Sequence, residues 1–412
     1  VNALLESHRQ PQAPYQSFWM AGFEGADHVN GLGVPLDLVR ASGHVAHIEE
    51  DYGGLGALGL HSIRESVGWR LAERHGEFDF SRTVRFAQAA RRHGLQVLWS
   101  LMHYGTPSDV SLFDDRFIDR FVRFAAATAR ALRPLTDATP VYTPINEIGF
   151  VSWAASETNL MYPYLGEASR RAGTSRQRGW ELKCRLVRAV VKAMDAIRQE
   201  DPRARFLHIE PLINVVAPMD RPELAPLAAE VSGYQWQVWD MLEGRLAPEL
   251  GGSPALLDLV GVNHYHSAQW EVETEERVQW HTRDPRWVPL SRLLRDASQR
   301  YGKPLVIAET SHFGAGRARW LHDIALEVEA ARSQGVPVHG LCLYPIVDRP
   351  DWNDANHWHN SGLWDVTLPA VPSPASAGFT LPRRLHLSYA KTLRRWQRRL
   401  PHTHRKEVSC LT

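Results

Sequence analysis

Short apolar runs rich in β-branched and aromatic residues alternate with longer segments whose apolar positions recur at helical spacing, and the alternation repeats eight times. The strand-like runs cover residues 18–24, 61–66, 96–103, 141–147, 205–210, 258–265, 304–311 and 340–345. Helical segments fall at residues 45–58, 81–93, 113–132, 176–199, 228–242, 291–301, 317–333 and 384–398. In the second of these, Val84, Ala87 and Ala90 share a face, Ser81 is placed to cap the start and Gly94 marks the stop. In the third, Phe117, Phe121, Phe124 and Thr128 form the stripe that a core-facing helix needs. Eight strand and helix units in alternation predict an α/β chain, a single (β/α)8 TIM barrel over residues 1–400 with a loose tail at 401–412.

The connections predict which end of that barrel works. Helix-to-strand links such as 91–94, 301–304 and 334–337 are short, whereas the strand-to-helix links 25–44, 148–175, 266–288 and 347–382 are long and crowded with Trp, His, Asp and Asn. Barrel enzymes build their sites from such loops at the C-terminal face. A hydrophobic content of 44% allows a large core, and 47 Lys and Arg against 46 Asp and Glu leave a net charge of +1, no electrostatic case for nucleic acid or a membrane surface. A neutral or modestly charged substrate fits better. Cys184, Cys342 and Cys410 are isolated and odd in number, which suggests neither a disulfide framework nor a zinc site. Residues 1–16 lack the apolar stretch of a signal peptide and no apolar run reaches the ~18 residues of a membrane span, so a soluble, cytoplasmic protein is expected. Nothing in the sequence assigns an oligomeric state.

Two runs of one design carry a carboxylic acid at the end of an apolar stretch: Val141-Tyr142-Thr143-Pro144-Ile145-Asn146-Glu147 and Pro304-Leu305-Val306-Ile307-Ala308-Glu309. An unpaired carboxylate among buried neighbours is costly, so two such groups at strand ends call for an explanation. A lone strand-end Glu is usually solvated or ion-paired. A pair brought to one mouth is what cleavage of a glycosidic bond needs, one acid to protonate the leaving oxygen and one carboxylate to attack or to activate water.

At these residues the chain resembles glycoside hydrolase family 1. Pro144-Ile145-Asn146-Glu147-Ile148 is similar to the family's T-x-N-E-P, and Ile307-Ala308-Glu309-Thr310-Ser311 to its I-T-E-N-G. The likeness continues in order from about residue 18 to 366. Ile63-Arg64-Glu65-Ser66-Val67-Gly68-Trp69 matches Y-R-F-S-I-S-W at its Arg, first Ser and Trp, and Leu101-Met102-His103-Tyr104 resembles T-L-x-H-W. Gly261-Val262-Asn263-His264-Tyr265 is similar to G-x-N-Y-Y, and the run from Tyr344 to Trp352 has the spacing of W-S-L-x-D-N-F-E-W, followed by Ser361-Gly362-Leu363.

The resemblance implies a retaining β-glycosidase that needs no cofactor and no metal. Glu309 would be the nucleophile and Glu147 the general acid and then base, about 5 Å apart. Arg64 would favour the charged form of Glu309, Tyr265 would orient it, Asn146 would bond the sugar 2-hydroxyl and His103 another ring hydroxyl. Asp351, Trp352 and Tyr344 would complete the sugar pocket, with Glu24 of the Phe23-Glu24-Gly25 motif beside them. The chain departs from the family at Gly22, where an amide is usual, and at Asp351 and Pro350, which stand for a Glu and a Phe. Plainer readings stay open at this stage: Arg64 neutralising Glu65, His103 as a core histidine, and Asp348 or Asp354 in the place given to Asp351. The run Trp352, His357, Trp358, His359 reads as stacking or loop packing rather than a metal site. A transglycosylase would use the same two glutamates, and a non-catalytic sugar-binding barrel would share the fold.

Overall fold

The structure is a computed structural model, and it describes residues 13–282, 284–367 and 381–401. Residues 402–412 of the expected tail and 368–380 of the 347–382 link lie outside the described residues. Eight strands, β1 (Trp19–Gly22), β2 (Ser62–Ser66), β3 (Gln96–Met102), β4 (Val141–Ile145), β5 (Arg205–Pro211), β6 (Leu259–Asn263), β7 (Leu305–Thr310) and β8 (Val338–Leu343), close into one barrel in chain order. Every neighbouring pair is parallel, and β1 closes the ring by pairing Met20 with Ser62 on one side and with Cys342 on the other. This is the (β/α)8 barrel that the alternation predicted.

Side-chain alternation divides the core in two. Met20, Leu98, Val141, Leu207, Ile209, Leu259, Val306, Ala308 and Cys342 pack together inside the barrel. Their neighbours Trp19, Ala21, Ile63, Val97, Tyr142, Phe206, Val260 and Ile307 join the larger cluster shared with the surrounding helices. The stripe expected on residues 113–132 is the buried face of the helix Phe117–Leu132, where Phe117, Phe121 and Phe124 pack against Trp69 at ring separations of 5.3, 5.2 and 5.9 Å. Trp69 is thus a packing residue of the barrel wall.

The structure also differs from the pattern in places. Ser81 is the first residue of its helix, Ser81–Arg92, and does not cap it; its N–H and hydroxyl both donate to Asp79, at 2.9 and 2.5 Å. The segment 228–242 is two helices, Ala225–Gly233 and Gln237–Glu243, joined by a 3-10 turn at Tyr234–Trp236. The long loop after β4 holds two helices, Ile148–Glu157 and Gly166–Arg171, too short to stand out from a loop rich in aromatic and polar residues. No helix of the described residues is long and apolar enough to cross a membrane.

Candidate active site

Glu147 leaves β4 in the left-handed region, at φ 48°, as the residue preceding the helix Ile148–Glu157. A non-glycine residue held there carries strain that the surroundings must over-determine, and such strain gathers at functional sites. Its N–H donates to Ile209 O at 3.0 Å, which pins the end of β4 to β5 and leaves the side chain at the barrel mouth. The Tyr104 hydroxyl donates to Glu147 Oε2 at 2.6 Å and the Asn263 amide to Oε1 at 2.8 Å. Burial, and after it the neighbouring charge of Glu309, push the Glu147 carboxyl up to about 7, so near neutrality it is poised between acid and base.

Glu309 reaches the same mouth through an irregularity in β7. Val306 and Ala308 point into the barrel, so strict alternation would turn Glu309 outward. Ile307 pairs with Val262, but it is Glu309 that pairs with Asn263, and the register also shifts against β8. One inserted residue re-aims the side chain, as bulges beside active sites do. Arg64 Nη1 donates to Glu309 Oε1 at 3.0 Å and to Ala308 O at 2.8 Å, while the Tyr265 hydroxyl donates to Oε2 at 2.7 Å. Burial, followed by the charge of Glu309, keeps the Tyr265 proton on well above the ordinary phenol range, so it stays a donor.

Asn146 joins the two acids. Its Oδ1 accepts from Arg64 Nη2 at 3.1 Å, and its Nδ2 lies 3.4 Å from Glu309 Oε1 and 3.3 Å from the Tyr104 hydroxyl. Arg64 does not neutralise Glu65. That carboxylate faces outward, where Tyr52 donates to it at 2.8 Å and His44 lies at 2.9 Å.

Around this pair stand the other expected residues. His103 is 3% exposed, with Nε2 3.4 Å from Asn146 Nδ2; burial first, opposed by Glu309 but reinforced by Arg64, pulls its pKa down to about 4, so it is a neutral imidazole. Glu24 Oε1 accepts the Ala26 N–H at 3.1 Å and the Tyr344 hydroxyl at 3.3 Å. The Tyr344 ring lies 5.2 Å from the Arg64 guanidinium. Trp352 sets its ring edge-on to His28 at 4.7 Å and to Tyr104 at 5.9 Å. Asp351 is turned into its own loop, accepting the N–H groups of Asn353 and Asp354 at 2.8 and 3.2 Å and lying 3.1 Å from His359. No group of His, Cys, Asp and Glu able to hold a metal occurs among the described residues.

Four residues of this constellation were not singled out from the sequence. Tyr104 and Asn263, which hold Glu147, sit inside recognised motifs but next to residues that drew the assignment. Arg349 lies in the run from Tyr344 to Trp352 and pairs with Glu24 at 3.0 Å. Glu210 closes the β5 run as Glu147 and Glu309 close theirs; its carboxylate accepts the Gly149 N–H at 2.8 Å, and burial pushes it up to about 8. Its strand-end position was the available signal.

No protein-family model and no curated protein matches the sequence. Solved structures do match the fold. A family 1 β-glucosidase from Thermotoga maritima superposes with a TM-score of 0.70 at 13% identity, covering 95% of this chain and 99% of its own. The T. maritima β-glucosidase in complex with glucoimidazole gives 0.70 at 14% identity over 92% and 97% of the two chains. A β-glycosidase gives 0.67 at 18% identity over 96% and 100%. Over nearly its whole length, and from a strongly diverged sequence, this chain has the fold of the family 1 β-glucosidases.

Proposed function

We propose that this protein is a retaining β-glycosidase. The observation that carries the reading is the contrast between two buried carboxyls at one barrel mouth: Glu309 is bonded to a guanidinium and a phenol, and Glu147 only to neutral donors with its pKa pushed up to about 7. Environments that differ in this way sort a pair of acids into nucleophile and proton donor. In the first step a Glu309 oxygen attacks the anomeric carbon. The bond to the leaving oxygen breaks as Glu147 gives it a proton, and a glycosyl ester on Glu309 forms. Glu147, now a carboxylate, then takes a proton from water, whose oxygen attacks the anomeric carbon and releases Glu309. The Tyr104 and Asn263 hydrogen bonds stabilise the carboxylate form of Glu147 between the steps. Asn146, bonded to Arg64, is placed to offer its Nδ2 to the 2-hydroxyl beside the reacting carbon. The chemistry calls for no cofactor, and the β-linked glycoside is the only partner it requires.

A 2-deoxy-2-fluoro aryl β-glycoside tests this directly, because the fluorine slows the second step and lets the ester accumulate. Intact-mass spectrometry should show one added sugar, and peptide mapping should place it on Glu309. An adduct on Glu147, or steady product release with no adduct, would reject the assignment.

A further inference from the structure

The surroundings of Gly22, Glu24 and Asp351 are built differently from the pattern the sequence resembles. A Cβ at Gly22 would lie 2.3 Å from Tyr344 Cδ2 and 3.2 Å from Cys342 Sγ, so the phenol ring fills the room in which an amide side chain would stand. Asp351 is occupied by its own loop. Two groups that would grip distal hydroxyls are therefore missing from that role.

Charged side chains stand in the gap. Glu24, 6% exposed, is fixed through Oε1 by the Ala26 N–H and the Tyr344 hydroxyl. Its Oε2 lies 3.0 Å from Arg349 Nε, close enough for an ion pair, yet the N–H is not aligned on the oxygen, and Nε is buried without a hydrogen-bond partner. Arg349 is braced over the Trp352 ring at 5.8 Å and through Nη1 on Pro350 O at 3.1 Å. His103 Nε2 stands 3.8 Å from Glu24 Oε1, too far for a hydrogen bond and near enough for a hydroxyl to bridge. The same His103 Nε2 lies 3.4 Å from Asn146 Nδ2, which sets Glu24 beside the residues that hold the two acids. A misaligned ion pair with a spare buried donor, facing a neutral imidazole, is a preorganised seat for a group that both accepts and donates.

We propose that Glu24 and Arg349 together form the hydroxyl-recognition element of the pocket, Glu24 accepting from a sugar ring hydroxyl and Arg349 Nε donating to it, in place of the absent amide at position 22 and of Asp351. The proposal rests on the glycosidase reading for the chemistry but concerns which sugar is held. It commits the site to a neutral pyranoside. The guanidinium charge is already matched by Glu24, so the anion of a uronide or a sugar phosphate would meet the carboxylate as well as the cation.

The test is a matrix of Arg349→Met, Glu24→Gln and wild-type enzyme against a neutral aryl β-hexoside and its monodeoxy analogues, with the matching uronide and 6-phosphate. Each variant should lower kcat/KM on the parent about 10- to 100-fold, the loss expected when a charge-assisted hydrogen bond is removed. On the analogue lacking the recognised hydroxyl, variant and wild type should agree within about threefold. An equal loss on every analogue means that the pair only ties the loop after β8 to β1, and it overturns the proposal while leaving the glycosidase reading intact. Preference of the wild type for the uronide or the phosphate overturns it too. Wild-type enzyme inert on the whole panel removes the glycosidase reading instead. The same matrix is then read by calorimetric titration with the free sugars, where loss of the hydroxyl dependence overturns the proposal.

Discussion

Replacing Tyr104 with Phe removes one atom, the hydroxyl that donates to Glu147 Oε2 at 2.6 Å. The ring should stay in place, since it packs against His103 at 4.6 Å, Phe150 at 5.3 Å and Trp352 at 5.9 Å. A donor aimed at a carboxylate stabilises its charged form, so the hydroxyl holds the Glu147 pKa below the value that burial and Glu309 alone would impose. A hydrogen bond to a charged group contributes about 1.5–3 kcal/mol, and one pKa unit corresponds to about 1.4 kcal/mol. Because the protonated acid keeps other contacts, the lower end applies, and the pKa should rise by about one unit. The first step needs Glu147 protonated, so the alkaline limb of kcat/KM, set near the value of about 7, should move upward in the variant. The profile on an unactivated alkyl β-glycoside, whose leaving oxygen needs the proton, reads this limb directly. An alkaline limb that stays put or moves down would show that Tyr104 does not govern the protonation of Glu147, or that Glu147 is not the acid.

Three further outcomes follow from the same geometry. Azide should rescue Glu309→Ala with inversion at the anomeric carbon and Glu147→Ala with retention on an activated substrate, and the reverse pattern in the products would exchange the two roles. His44 is clamped between Glu65 and Asp51; burial alone would lower its pKa, but Glu65 and Asp51 prevail and raise it above 6.5. Because this pKa is higher in the folded state, the stabilisation is full below about 6.5 and lost as pH rises through the raised value. Calorimetric melting should therefore show wild type losing its advantage over His44→Gln across that range, and an advantage that grows with pH would refute the sign. Gly22→Ala should destabilise the fold by about 1–3 kcal/mol through the clash with Tyr344, read by urea unfolding, whereas a neutral result would mean the ring moves freely.

The barrel was legible because its signal is periodic and repeated. Strand runs such as 96–103 and helices such as 317–333 carry their own boundaries in apolar spacing and glycine stops. Residue pattern alone marked the candidate site where a polar residue interrupts an apolar run at its end, as at Asn146-Glu147 and Glu309, whereas Arg64, His103 and Tyr265 were reached through the family resemblance. What holds those residues was not legible. The inserted residue in β7 that swings Glu309 inward depends on pairing with β6 and β8, which no local pattern records. The bond from Asn263 to Glu147 joins residues 116 apart, and that between Tyr344 and Glu24 joins residues 320 apart. Gly22 read as a missing amide, and only the packed ring of Tyr344 shows why no larger side chain stands there.

In the proposed reaction two displacements take place at one anomeric carbon, first by Glu309 and then by water. The most direct measurement is a proton NMR time course of the hydrolysis of an aryl β-glycoside, followed before the released sugar equilibrates. The β-anomer should appear first and decay toward the equilibrium mixture; first appearance of the α-anomer would mean that a single displacement has occurred and that Glu309 is not the nucleophile.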